Sequence, residues 1–312
     1  MRIAAEKWRV FLALSLIAGG CGGAVTTSTN VPVAVRPVAR EAGQEELLAS
    51  YNAFARNLKT LNLTLDMKPV VGSKYSGVID EYHDVKAFVL AGRPAQIRVI
   101  GQVPVVGKTV FDMASDGKTF EVSIPPKNKF LTGLVTFERS SAKPIENLRP
   151  QHLTEALLWP EVHKEEIVLL EEFNDETARY YVLTVLRGGY KNEVLRKIWF
   201  DRADLNVARL ENFGPKGVLL SDARYGDWQP IALGAPGATP GSATNSVAGS
   251  ENSITQYPRK IRLERPHDDY RLEMSIAKVA VNEPMEAERF RLEAPAGAEI
   301  IRLGEGSGDK QP

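Results

Sequence analysis

A single cysteine, Cys21, stands in 312 residues, so no disulfide within the chain is available to hold the fold. Histidine is almost as scarce. His83, His152, His163 and His267 never pair at i, i+4 spacing, and the chain has no HExxH and no Cys/His cluster. His267-Asp268-Asp269 comes nearest to a metal-binding run, and it reads as a solvated turn after Pro266. There is no GxSxG nucleophile elbow, no P-loop and no GxGxxG; Gly188-Gly189 reads as a hairpin turn. The carboxylate pairs Glu165-Glu166, Glu171-Glu172 and Asp268-Asp269 are adjacent residues. On a strand such neighbours point to opposite faces and build no shared acid/base site. Charge of one sign is also missing, since 39 Lys and Arg balance 39 Asp and Glu. A nucleic-acid binder shows a basic excess or stripe. Together these absences lead us to expect a non-catalytic protein without metal, cofactor or nucleic-acid partner.

What is present begins at the N-terminus. Arg2, Lys7 and Arg9 precede "VFLALSLIA", Val10 to Ala18, and then Gly19, Gly20 and Cys21. A positive segment, a short apolar run and small residues describe a secretory signal. The run falls well short of the ~20 apolar residues that a membrane-spanning helix needs. The segment resembles a bacterial lipoprotein signal, in which cleavage precedes the cysteine and the thiol carries a diacylglycerol, with palmitate among the acyl chains. An ordinary signal with a chance cysteine is the alternative. The lipoprotein reading gives residues 1–20 as signal peptide, Cys21 as the lipidated residue, and a location in the cell envelope outside the cytoplasm. Gly22 rather than Asp after the cysteine points to the outer membrane. Without residues 1–20 the chain has 36 basic and 38 acidic residues.

Residues 22–43 are small, Pro-containing and aperiodic, and read as a tether. "QEELLASYNAFARNLKTLN", residues 44–62, carries Leu47, Leu48, Tyr51, Phe54, Leu58 and Leu61 at helical spacing, with Glu45 and Glu46 in the first turn. The period then changes to two. Leu61, Leu63, Leu65 and Met67 alternate with polar residues, as do Ile97 and Val99, then Phe120, Val122 and Ile124, and later Tyr270, Leu272, Met274 and Ile276. Each run is a half-buried antiparallel strand. "SDGK", Ser115 to Lys118, marks a hairpin; "RPQHLTEALLW", from Arg149, reads as a second helix with Pro150 at its start. Residues 232–253 are rich in Gly, Ala, Ser and Pro and read as a disordered loop inserted between two strands; residues 304–312 read as a disordered tail. The expected fold is mainly β (α+β): a strongly curved antiparallel sheet of about ten or eleven strands, covered by helices. More strands than about ten force a sheet to curl or close.

Several segments together resemble the LolA/LolB superfamily of periplasmic lipoprotein carriers and acceptors, over about residues 44–303. They are the opening amphipathic helix, "GRPAQIRVIGQVPVVGKTVFDMASDGKTFEVSIPPKNKFLTG", "RKIWFDRADLNVARLENFGPKGVLLSDARYGDW" and "YPRKIRLERPHDDYRLEMSIAKVAVNEPMEAERFRLEAPAG". The resemblance implies a half-barrel whose apolar concave side takes acyl chains, and a protein of outer-membrane lipoprotein sorting. Its partners would be the membrane, a lipid or lipoprotein acyl chain, and another envelope protein. Leu63, Leu65, Ile97, Val99, Phe120, Val122, Leu272, Met274 and Ile276 are the expected cavity residues, with Leu47, Tyr51, Phe54 and Leu58 as the lid helix. Within "QVPVVGK", Pro104, Val105 and Val106 are the candidate membrane-contact tip, with "NKFL", Asn128 to Leu131, as a second. Periodicity does not separate a hollow interior from a packed one, so a sensor or protein-interaction module with a solid core is the alternative function.

Overall fold

Alternation of apolar and polar residues dominates the chain, and the fold follows from it. In a computed structural model, residues 37–73, 78–81, 84–136, 149–174, 178–189, 193–232 and 254–303 are described. Cys21, the residues read as signal, most of those read as tether, the segment 233–253 and residues 304–312 lie outside them. The unit that starts at Val38 is the one described here.

Helix α1 spans Gln44–Asn57. It is shorter than the sequence expectation. Leu58 is already extended, and strand β1, Thr60–Ser73, takes over the apolar pattern from Leu61. Two-residue periodicity wins there because Leu61, Leu63, Leu65 and Met67 all reach the core, at 0–1% exposure, only as a strand. Helix α2 spans Pro150–Leu157, with Pro at its first position, where its missing N–H costs nothing.

The remaining strands are β2 (Val78–Glu81), β3 (Val85–Gly92), β4 (Gln96–Gln102), β5 (Thr109–Ser115), β6 (Thr119–Ile124), β7 (Lys129–Leu134), β8 (Glu166–Asn174), β9 (Arg179–Arg187), β10 (Glu193–Asp201), β11 (Val207–Phe213), β12 (Leu219–Ala232), β13 (Ile254–Arg265), β14 (Tyr270–Val281) and β15 (Glu299–Leu303). That makes fifteen strands among the described residues, not ten or eleven. The extra ones are short or break strict alternation, as β2, β7 and β15 do, and so leave little periodic signal. They form one sheet in the order β15-β7-β6-β5-β4-β3-β1-β14-β13-β12-β11-β10-β9-β8, with β2 paired to β1. All pairs are antiparallel except β15 with β7. The two most regular runs of the sequence, β1 and β14, are central neighbours, with Leu65 opposite Ile276 and Met67 opposite Met274. The strands that flank residues 233–253 are paired neighbours too, up to Ala232 opposite Ile254.

Curvature follows from what α2 touches. The helix lies against β4 and β5. It also accepts a hydrogen bond at Ala156 O from Tyr225 on β12 and at Leu157 O from Tyr257 on β13. In a flat sheet β5 and β12 would stand roughly 29 Å apart, at ~4.8 Å per strand. A helix is only ~10 Å across. The sheet therefore curls around α2, and one apolar cluster joins residues of both arms.

Candidate functional site

The concave side of the sheet gathers the expected cavity residues. Leu63, Leu65, Ile97, Val99, Phe120, Val122, Leu272, Met274 and Ile276 all belong to one cluster, at 0–8% exposure. In this conformation they touch protein. Leu47 and Tyr51 of α1 and Leu58 just beyond it are buried in the same cluster, and Phe54 is half-buried against it.

α1 reaches the sheet through a strap, residues 158–163, whose first two residues, Leu158 and Trp159, the sequence pattern gives to the end of the second helix, which instead stops at Leu157. Phe54 stacks on Trp159 with ring centroids 4.1 Å apart, and Tyr51 also stacks on it at 5.5 Å. Trp159 meets Tyr225 and Trp228 edge-on. Polar bonds fix the strap. Tyr51 donates its hydroxyl to Pro160 O at 2.9 Å. The Asn52 side chain pairs in both directions with the Val162 backbone. Arg93, at the β3–β4 turn, donates Nε to Leu58 O at 2.8 Å and Nη2 to Trp159 O at 2.7 Å, so one guanidinium ties the end of α1 to the strap. Buried Arg196 donates to Pro160 O and Glu161 O and pairs with Glu166. Burial pushes the Tyr51 phenol up to about 12, against the opposing pull of Arg196, so it stays a donor at neutral pH.

α2 carries two titratable groups toward the inside of the curve. The His152 Nδ1 lies 2.7 Å from the Tyr270 hydroxyl on β14. Burial, with Arg265 and Arg149 nearby, holds its pKa well below the usual histidine range. Glu155 is exposed by its accessible surface, yet dense protein surrounds it, and burial is the largest cause of its raised pKa. Its surface is open, but the bulk of its surroundings is protein.

Two surface features complete the picture. Pro104, Val105 and Val106 form the exposed tip between β4 and β5, and Val105 holds φ 69°, a region that disfavours β-branched residues. At the second candidate tip, Phe130 and Leu131 are buried and Asn128 and Lys129 turn the chain, so it offers no apolar side chain to solvent. A separate pocket of about 480 Å³ is lined by Asp201, Asp204, Asp227, Asn206, Gln256 and Trp228, among others. Its three carboxylates suit neither an anion nor an apolar chain.

His267 and its aspartates form the β13–β14 turn, where Arg265 pairs with Asp268. Among the described residues no group of three His, Cys, Asp or Glu is placed to hold a metal. No described helix is long and apolar enough to cross a membrane.

No protein-family model and no curated protein matches the sequence. Among solved structures, the chain is similar to a LolA superfamily protein from Nitrosomonas europaea, at 11% identity and a TM-score of 0.44, covering 81% of this chain and 99% of that one. It is similar to an outer membrane lipoprotein-sorting protein domain from Vibrio parahaemolyticus, at 10% identity and 0.46, covering 78% and 94%. A DUF1329 family protein from Desulfovibrio piger matches at 13% identity and 0.45, with the same coverage of 78% and 94%. These are likenesses of chain architecture and assign no residue a role.

Proposed function

We propose that this protein is a non-catalytic lipoprotein of the bacterial envelope, anchored through Cys21, that takes an acyl chain between α1 and the concave face of the sheet. The observation that carries this reading is the seat of α1. The helix lies on a separate strap and an aromatic cluster, held by a few directed bonds, over a continuous apolar face. Undocking it exposes Leu47, Tyr51 and Leu58, at about 1.5–3 kcal/mol for each large apolar side chain. A 16-carbon chain yields on the order of 12 kcal/mol, at ~0.8 kcal/mol per CH₂. With the hydrogen bonds of α1 to the strap added at about 1 kcal/mol each, cost and gain are of the same order, so a closed interior in the empty protein is compatible with uptake. The exposed tip at Val105 and Val106 would touch the bilayer, and the anchor would keep it there. Sorting of lipoproteins at the outer membrane is the role this arrangement fits.

Native mass spectrometry of the full chain, released from the membrane under gentle conditions, tests the reading. Co-purified phospholipid or acylated peptide supports it. A bare mass that also refuses added lipid rejects it and favours a second reading, a protein-interaction module. That alternative rests on edge strand β8, which exposes Ile167, Leu169 and Phe173 on one face, the form in which edge strands accept a partner's strand.

A further inference from the structure

Arg259 stands on β13 between Tyr257 and Ile261. Strand alternation gives these three residues one face, the concave one, where Tyr257 bonds to the end of α2 and Ile261 is buried. The residue is half-buried, but its Nε and Nη1 atoms are out of contact with solvent and have no hydrogen-bond partner. The carboxylate nearest by register is Asp227. It lies between Gly226 and Trp228, whose partners Lys260 and Pro258 flank Arg259. Asp227 is exposed and accepts from Gln229 instead. By contrast Arg93, Arg98, Arg196, Arg209 and Arg265 all have oxygen partners.

A guanidinium is a permanent cation in proteins. A half-buried cation without a counter-ion loses part of its hydration uncompensated, and a bound anion offsets that cost. The planar fork matches a carboxylate or a phosphate. The neighbours on its face are Tyr257 and Ile261, so the anion that fits must carry an apolar body.

We propose that Arg259 binds the anionic headgroup, carboxylate or phosphate, of an amphiphile whose acyl chain lies on the concave face. This inference rests on the acyl-binding reading and narrows its ligand to anionic lipids.

The test uses the full chain in amphipol, titrated with three probes that share one chain: oleate, 1-oleoyl lysophosphatidate and oleyl alcohol. Tryptophan fluorescence reports binding, since Trp159 and Trp228 sit under α1. The wild type is expected to bind at least one of the two anions tenfold or more tighter than the alcohol. The tighter of the two identifies the headgroup as carboxylate or phosphate. In Arg259→Met that preference falls to parity with the alcohol's affinity unchanged, and Arg259→Lys keeps part of it. The melting temperature of Arg259→Met is expected to equal or exceed that of the wild type, because an unpaired, partly desolvated charge has gone. An anion preference that survives in Arg259→Met, or a melting temperature several degrees lower, overturns the proposal. Oleyl alcohol bound without any anion preference overturns it while leaving the acyl-binding reading intact. If none of the three binds, the acyl-binding reading fails and this inference with it.

Discussion

Glu155 shows how one residue reports on the space around it. Glu155 has accessible surface but a raised pKa, which Arg265 and Arg196 oppose without forming an ion pair to it. A carboxyl whose pKa is higher folded than unfolded is disfavoured as an anion in the folded state. The penalty is full above the folded pKa and gone below about 4.5, the unfolded value. Glu155→Gln is therefore expected to raise the melting temperature at pH 7 and leave it unchanged at pH 4. Thermal melts at the two pH values check this. An equal shift at both would mean that the carboxylate charge is not what matters there.

Among the elements, α1 is the one that the proposed uptake requires to move. Its hydrogen bonds to the strap are worth about 1 kcal/mol each, or about 1.5–3 where Arg93 donates as a cation. Burial of its apolar face contributes more than any single bond. Removing the Arg93 latch should then loosen the helix without unfolding the sheet. Arg93→Met is expected to speed amide hydrogen exchange over residues 44–57 several-fold while β1 and β14 exchange as before. Global acceleration across the sheet would show that Arg93 is a structural core residue instead. α2 is held differently. Tyr225 and Tyr257 donate to its last carbonyls from buried positions.

At the scale of the whole molecule, the sheet is open at β8 and β15 and curls far enough for both arms to meet the helices. The interior as it stands has no room for a ligand at Leu63, Val99 or Met274. A bulky substitution there, such as Val99→Trp, would overpack the core at a cost of about 1–3 kcal/mol and mix stability with binding. Motion is the cleaner readout. Loading with oleate is expected to lower exchange protection in α1 and the strap, because the chain takes their place on the apolar face. Oleate bound with α1 protection unchanged would place the ligand elsewhere.

The sequence by itself determined the β architecture, the opening helix, the second helix at Pro150 and the inward rows of β1, β4, β6 and β14. Each of these is written in local periodicity, which survives without knowledge of any partner. The expectation of a signal ending at Cys21 is likewise read from order along the chain. What only the tertiary structure decided is contact between distant segments. "GRPA" is visible in the sequence, but nothing local says that Arg93 will bond Leu58 and Trp159, 35 and 66 residues away. Trp159 reads as the end of a helix until α1 is seen stacked on it. Arg259 reads as one of many charges on an alternating strand, and its burial depends on which way that strand faces once the sheet has curled. Alternation fixes which residues share a face; closure of the sheet around α2 fixes which face is the inside.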